Sequence, residues 1–229
     1  MATILSRARW QSAWLGAVFV ATWVTGCGWA GGGAGEGTAP ERVAAADICH
    51  GLFRGRAEGA LRKALRTEDF SHSTDLDSVP AAASLLREDP VPSPFGAGER
   101  RICTVYVYEE TNIAELTVGA ERVTPEIADA RHTRMRYRLG RTAWANENKG
   151  VVYVDCLTPR LRGERPAVLA VSAWNRTFPS GDVAAYRDAH LYLAHAAAVA
   201  FVRELGCQGD AGLPDRLPDR LAVLEDPGR

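Results

Sequence analysis

SGDVAAYRDAHLYLAHAAAVAFVRELGC, residues 180 to 207, decides the fold. Ser180 or Asp182 can cap a helix N-terminus, and Gly206 supplies the residue type that stops one, so the spacing predicts a helix over 182–205. Its middle, 189–202, carries no carboxylate, lysine or arginine. A helix that is apolar around most of its circumference is buried on most sides, and this one is expected to lie across a sheet.

The strands to receive it lie upstream. PAVLAVSAW (166–174) is short of polar residues and reads as a central strand. RMRYRLGRTAW (134–144), then the turn residues NENKG, then VVYVDC (151–156) read as a hairpin. ICTVYVY (102–108) puts Cys103, Val105 and Val107 on one face and Thr104, Tyr106 and Tyr108 on the other; AELTVGA (114–120) is a weaker strand signal. AEGALRKALRT (57–67) is helical, with Leu61 and Leu65 on one stripe. Pro80, Pro90, Pro92 and Pro94 make 71–99 a long loop with at most a helical turn at 81–87. The order predicts an α+β fold: an antiparallel sheet of about 4–5 strands with an N-terminal helix and a long C-terminal helix packed on it. One domain is expected over 45–213, followed by a proline-rich, charged and flexible tail at 214–229.

The N-terminus reads as an export signal over 1–26: Arg7 and Arg9 precede the short apolar run AWLGAVFVATWV (13–24). Val24-Thr25-Gly26-Cys27 resembles the lipobox of bacterial lipoproteins. That resemblance implies a diacylglyceryl group on the Cys27 thiol, cleavage before it, and a membrane anchor facing out of the cytoplasm. Residues 27–44 then form a lipidated cysteine and a glycine-rich tether with a mean reach of roughly 20–25 Å. Two alternatives stand beside it: cleavage after Gly28-Trp29-Ala30 with secretion, and retention of Gln11 to Gly35 as a span. All three export the domain.

Beyond Cys27 there are four cysteines, Cys49, Cys103, Cys156 and Cys207. In an exported chain such a set reads as two disulfides, and no C-x-x-C pair favours zinc. Three connectivities are possible. Cys49 with Cys103 and Cys156 with Cys207 is favoured because each joins a helix end to a strand end; closing a loop of about 50 residues stabilises by roughly 4 kcal/mol in the chain-entropy picture.

The 229 residues carry a formal charge of -1, and without 1–26 they hold 25 basic against 28 acidic groups, about -3. No nucleic-acid partner is expected. The sequence has no G-x-S-x-G, H-E-x-x-H, P-loop or dinucleotide motif, and no cofactor, metal or catalytic residue is assigned. His190 and His195, five apart on the long helix, point about 140° apart, poor geometry for a shared metal, and read as hydrogen-bonded interior residues. His50 beside Cys49, Ser71-His72-Ser73 and Glu109-Glu110 lack recognisable partners. The feature that stands out is Arg134, Arg136 and Arg138, which share a face if 131–141 is a strand and offer guanidinium forks to anionic lipid or wall polymer. A solvated strand cross-paired with glutamates is the alternative.

Cys49-His50-Gly51-Leu52, Val-Tyr-Val-Asp-Cys (152–156) and Val-Arg-Glu-Leu-Gly-Cys (202–207) resemble a group of uncharacterised actinobacterial lipoproteins over about 45–213. Few lysines and abundant arginine, alanine and glycine agree with a high-GC source. The group brings no catalytic residues, and His50 stands where a small residue such as glycine is expected. The resemblance implies a membrane-anchored extracytoplasmic protein with a binding or structural role; the alternative is a cell-envelope hydrolase.

Overall fold

The computed structural model describes residues 42–72, 77–88, 98–109, 112–129, 135–162, 166–176, 180–218 and 223–225. In chain order they form α1 Ile48–Gly51, α2 Arg56–Leu65, β1 Ser71–His72, α3 Val79–Glu88, β2 Arg100–Glu109, β3 Asn112–Val123, α4 Pro125–Asp129, β4 Met135–Tyr137, β5 Thr142–Ala145, β6 Lys149–Cys156, β7 Ala167–Asn175 and α5 Val183–Leu205. A 3-10 turn at Gln208–Gly212 and β8 Val223–Glu225 follow.

The fold is α+β, with one antiparallel sheet ordered β1-β2-β3-β7-β6-β5-β4-β8. Eight strands among the described residues exceed the expected 4–5. Two of the extra strands, β1 and β8, are edge strands of two and three residues, too short to carry a periodic signal. Another arises because 134–144 is two strands rather than one. Arg138, Leu139, Gly140 and Arg141 turn the chain between β4 and β5, with Gly140 at φ +58 and the Arg141 N–H donating to the Tyr153 carbonyl at 2.9 Å. A Cβ on Gly140 would lie 2.5 Å from that carbonyl oxygen, so the turn needs glycine both for its φ and for the approach.

β7 is central, between β3 and β6, as its apolar composition indicates. α5 crosses the same sheet and buries Leu191, Leu193, Phe201, Val202 and Leu205. Asp182 caps it, its carboxylate accepting from the Ala185 N–H at 3.1 Å. Gly206 ends it at φ +68, and the Cys207 N–H donates to the Val202 carbonyl at 2.9 Å. The close approach of α5 to β6 depends on Gly150, where a Cβ would come within 2.6 Å of the His190 backbone.

Two expectations fail near the chain's polar segments. The loop at 71–99 contains a full helix, α3: Ser78 Oγ accepts from the Ala81 N–H at 3.2 Å, and Pro80 sits in the first turn, where its missing N–H has no intrahelical partner to lose. Ala82, Ala83 and Leu86 are its buried face. The tail expected to be flexible from 214 is instead docked through 218. Leu213 and Leu217 are buried, and further on β8 pairs with β4, Arg136 opposite Glu225. Leucines four apart within the proline-rich stretch provide the apolar surface that holds it.

Cys49 with Cys103 and Cys156 with Cys207 lie at disulfide distance, Cα atoms 5.7 and 5.0 Å apart. The first pair ties α1 to β2, the second the end of β6 to the residue after α5.

Candidate functional site

α1 is a single left-handed turn: φ is +53 at Cys49, +58 at His50 and +79 at Gly51. L-residues in this conformation cost roughly 1–2 kcal/mol each, and they persist where the surroundings over-determine them. Here the buried Ile48 side chain and the bridge from Cys49 to Cys103 do so. The turn also explains why His50 occupies a position where a small residue was expected: its φ is one that glycine adopts freely and histidine tolerates. At Gly51 the Arg54 guanidinium folds back so closely that a Cβ would meet Nε at 2.8 Å; Arg54 Nε donates to the Ala46 carbonyl at 3.4 Å.

This turn forms one wall of a cleft of about 1210 Å³. α5 provides the floor through Tyr192, Ala196 and Ala200, spaced i, i+4, i+8, with Val199 beside them. Two alanines on an otherwise covered helix leave the floor both apolar and recessed. The first turn of α3 closes one side with Val79 and Pro80. The segment 213–218 closes another: His195 Nε2 donates to the Pro214 carbonyl at 2.8 Å, Tyr192 Oη to the Pro218 carbonyl at 3.0 Å, and Arg56 Nη1 to the Leu217 carbonyl at 3.4 Å.

The described lining residues include four arginines, Arg54, Arg56, Arg203 and Arg216, against one carboxylate, Asp215. Arg203 pairs with Asp215 and lies 3.7 Å from Asp210. Arg54 and Arg216 have no carboxylate partner among the described residues. An apolar floor under a guanidinium rim suits a ligand with an apolar body and an anionic end. Sequence reasoning missed this site. Its arginines are scattered between positions 54 and 216, and the signals that would have found it were the Leu213/Leu217 spacing and the alanines of α5.

Of the sequence-predicted residues, Cys49, His50 and His195 line the cleft, and the rest fall elsewhere or outside the described residues. Cys27 and Arg134 lie outside the described residues, as do Ser73 and Glu110. Arg136 is half-buried on β4, where its Nη2 donates to Thr142 Oγ1 at 3.2 Å, while Arg138 is exposed in the turn. β4 ends at Tyr137, so Arg136 and Arg138 do not share one strand; among its described residues the expected strand through 131–141 is broken by the turn around Gly140.

The α5 histidines are interior groups. His190 is fully buried; its Nδ1–H donates to the Tyr186 carbonyl at 2.8 Å, and burial drives its pKa down to about 4. Burial also lowers the pKa of His195, against the opposing pull of the Pro214 carbonyl. No group of three or more His, Cys, Asp or Glu among the described residues could hold a metal ion.

A second polar cluster lies at α4. Arg141 bridges Asp129 and Asp155, Nε and Nη1 each at 2.8 Å, and its guanidinium holds the exposed Asp129 carboxyl below the usual range. This ties α4 to β6. On β3, burial and then the neighbouring Glu99 raise the pKa of Glu121, with Lys149 opposing; Ser172 Oγ donates to Glu99 at 2.6 Å.

No family model, curated protein or solved structure matches this chain. None of the described helices is long and apolar enough to cross a membrane.

Proposed function

We propose that this is an exported, membrane-anchored lipoprotein facing away from the cytoplasm, whose oxidised α+β domain binds a ligand rather than transforming it. The carrying observation is that the four cysteines of the domain pair off at disulfide distance, leaving Cys27 as the one remaining thiol of the chain. Disulfides persist in exported compartments, and an unpaired cysteine directly after an apolar leader is the nucleophile that lipid attachment requires. Two acyl chains give a durable anchor, since each buried CH₂ contributes about 0.8 kcal/mol. The cleft supports binding over catalysis: it offers arginines and an apolar floor, and its one buried titratable side chain, His195, is engaged with a backbone carbonyl.

Feeding cells an alkyne-bearing fatty acid tests the anchor. The wild-type chain is expected to take up the label and Cys27→Ala to take up none. A wild-type chain without label, or one labelled equally after the substitution, overturns the reading.

A further inference from the structure

We propose that the cleft holds a single-chain anionic lipid, its acyl chain along Tyr192, Ala196 and Ala200 of α5 and its phosphate or carboxylate head at the arginine rim. The inference deepens the binding reading and rests on it, but not on the anchor. Three observations converge. First, α5 is sheltered around most of its circumference, and Tyr192, Ala196 and Ala200 are the half-buried members of a stripe that faces open space instead of another element. Covering that stripe with methylenes is favourable by about 0.8 kcal/mol for each CH₂.

Second, the charge is one-sided and sits at the mouth. Arg54, just after the left-handed turn, and Arg216, on the C-terminal segment, both line the cleft, and both are exposed without a carboxylate partner among the described residues. Guanidinium forks on two segments of one cleft suit the oxygens of a phosphate or carboxylate. Third, the capacity fits. A cleft of about 1210 Å³ has room for one long acyl chain and its head group. An acidic peptide would need backbone partners along its length, and the floor of alanine, valine and tyrosine ring carbon offers few. The walls are built to keep their shape. The Cys49 to Cys103 bridge holds the turn, and the contacts to the Pro214, Leu217 and Pro218 carbonyls hold the segment opposite.

The test places the full chain in nanodiscs with a diazirine-bearing lysophosphatidic acid, irradiates it, and maps adducts by peptide mass. Adducts are expected on 192–203 and 213–218. A neutral diazirine monoacylglycerol should give about tenfold fewer, and so should the Arg54→Gln/Arg216→Gln double variant. Ala200→Trp should lower the yield at least tenfold. Should that change unfold the domain, the exposed arginine variants still decide, with intact disulfides as the folding control.

Adducts spread over the surface, or equal yields from the neutral and anionic probes, overturn the proposal. Competition separates a lipid site from a phosphate site: millimolar inorganic phosphate should leave the yield unchanged, and displacement by phosphate alone contradicts the acyl-chain assignment. Running the same assay on Cys27→Ala separates the two proposals. Cleft adducts without alkyne labelling of the wild type would leave this inference standing and remove the anchor.

Discussion

The sheet centre beneath α5 and the cleft at the far side of the same helix use identical material in opposite ways. Over β6 and β7, α5 is covered by Val152, Val154, Leu169 and Val171, all at or near zero exposure, and glycine at 150 lets the backbones touch. On the cleft side alanine at 196 and 200 faces space, and the walls depend on a left-handed turn, a disulfide and side chains bonded to carbonyls. One side is specified by hydrophobic pattern with many redundant contacts. The other is specified by a few backbone devices, each of which can be removed singly.

That contrast orders the expected effects. Phe201→Ala, in the dense side, should destabilise the domain by about 3–5 kcal/mol in chemical denaturation, because a cavity adds to the lost burial. A cost below 1 kcal/mol would show that the helix-sheet contact is looser than described. Removing either bridge, as Cys156→Ala/Cys207→Ala or Cys49→Ala/Cys103→Ala, should cost about 2–5 kcal/mol. The second double variant should also expose 45–55 to protease while the sheet stays intact, which the first should not do.

Acid probes the same helix. The folded pKa of His190 is about 4 and the unfolded one about 6.5, so between those values the unfolded chain holds a proton that the folded chain excludes. Stability is therefore complete above about pH 6.5 and falls as pH drops to about 4, by roughly 3 kcal/mol. Denaturation midpoints measured from pH 7 to 4 should show this slope, and His190→Asn should flatten it. The smallest effect sharpens the cleft side: His50→Gly should stabilise by about 1 kcal/mol, since glycine accepts φ +58 without strain. A destabilised variant would mean that the imidazole itself holds the turn.

Sequence made the dense side legible and the cleft nearly illegible, for a physical reason. Asp182, Gly206 and an uncharged stretch between them announce α5, and the apolar run of β7 announces a strand covered on both faces. The cysteine pairing was readable at Cys156 and Cys207, which stand at the end of β6 and just after α5, whereas Cys103 lies inside β2. The turn at Gly140 was missed because alternation continued through it, so a row of arginines looked like a face. α3 was hidden by prolines, one of which sits where a helix tolerates it. The docked segment at 213–218 looked like a tail because two prolines and two charged residues interrupt its two buried leucines. The cleft itself is an arrangement of exposed arginines distant in the chain, and no local pattern carries that.

The account stands on export, oxidation and lipid attachment acting on one chain, and the intact mass of the protein taken from native membranes measures all three at once. It predicts a chain beginning at Cys27, heavier by its acyl groups, whose mass rises by two hydrogens for each bridge on reduction. A chain of unmodified sequence mass that is unchanged by reductant contradicts it.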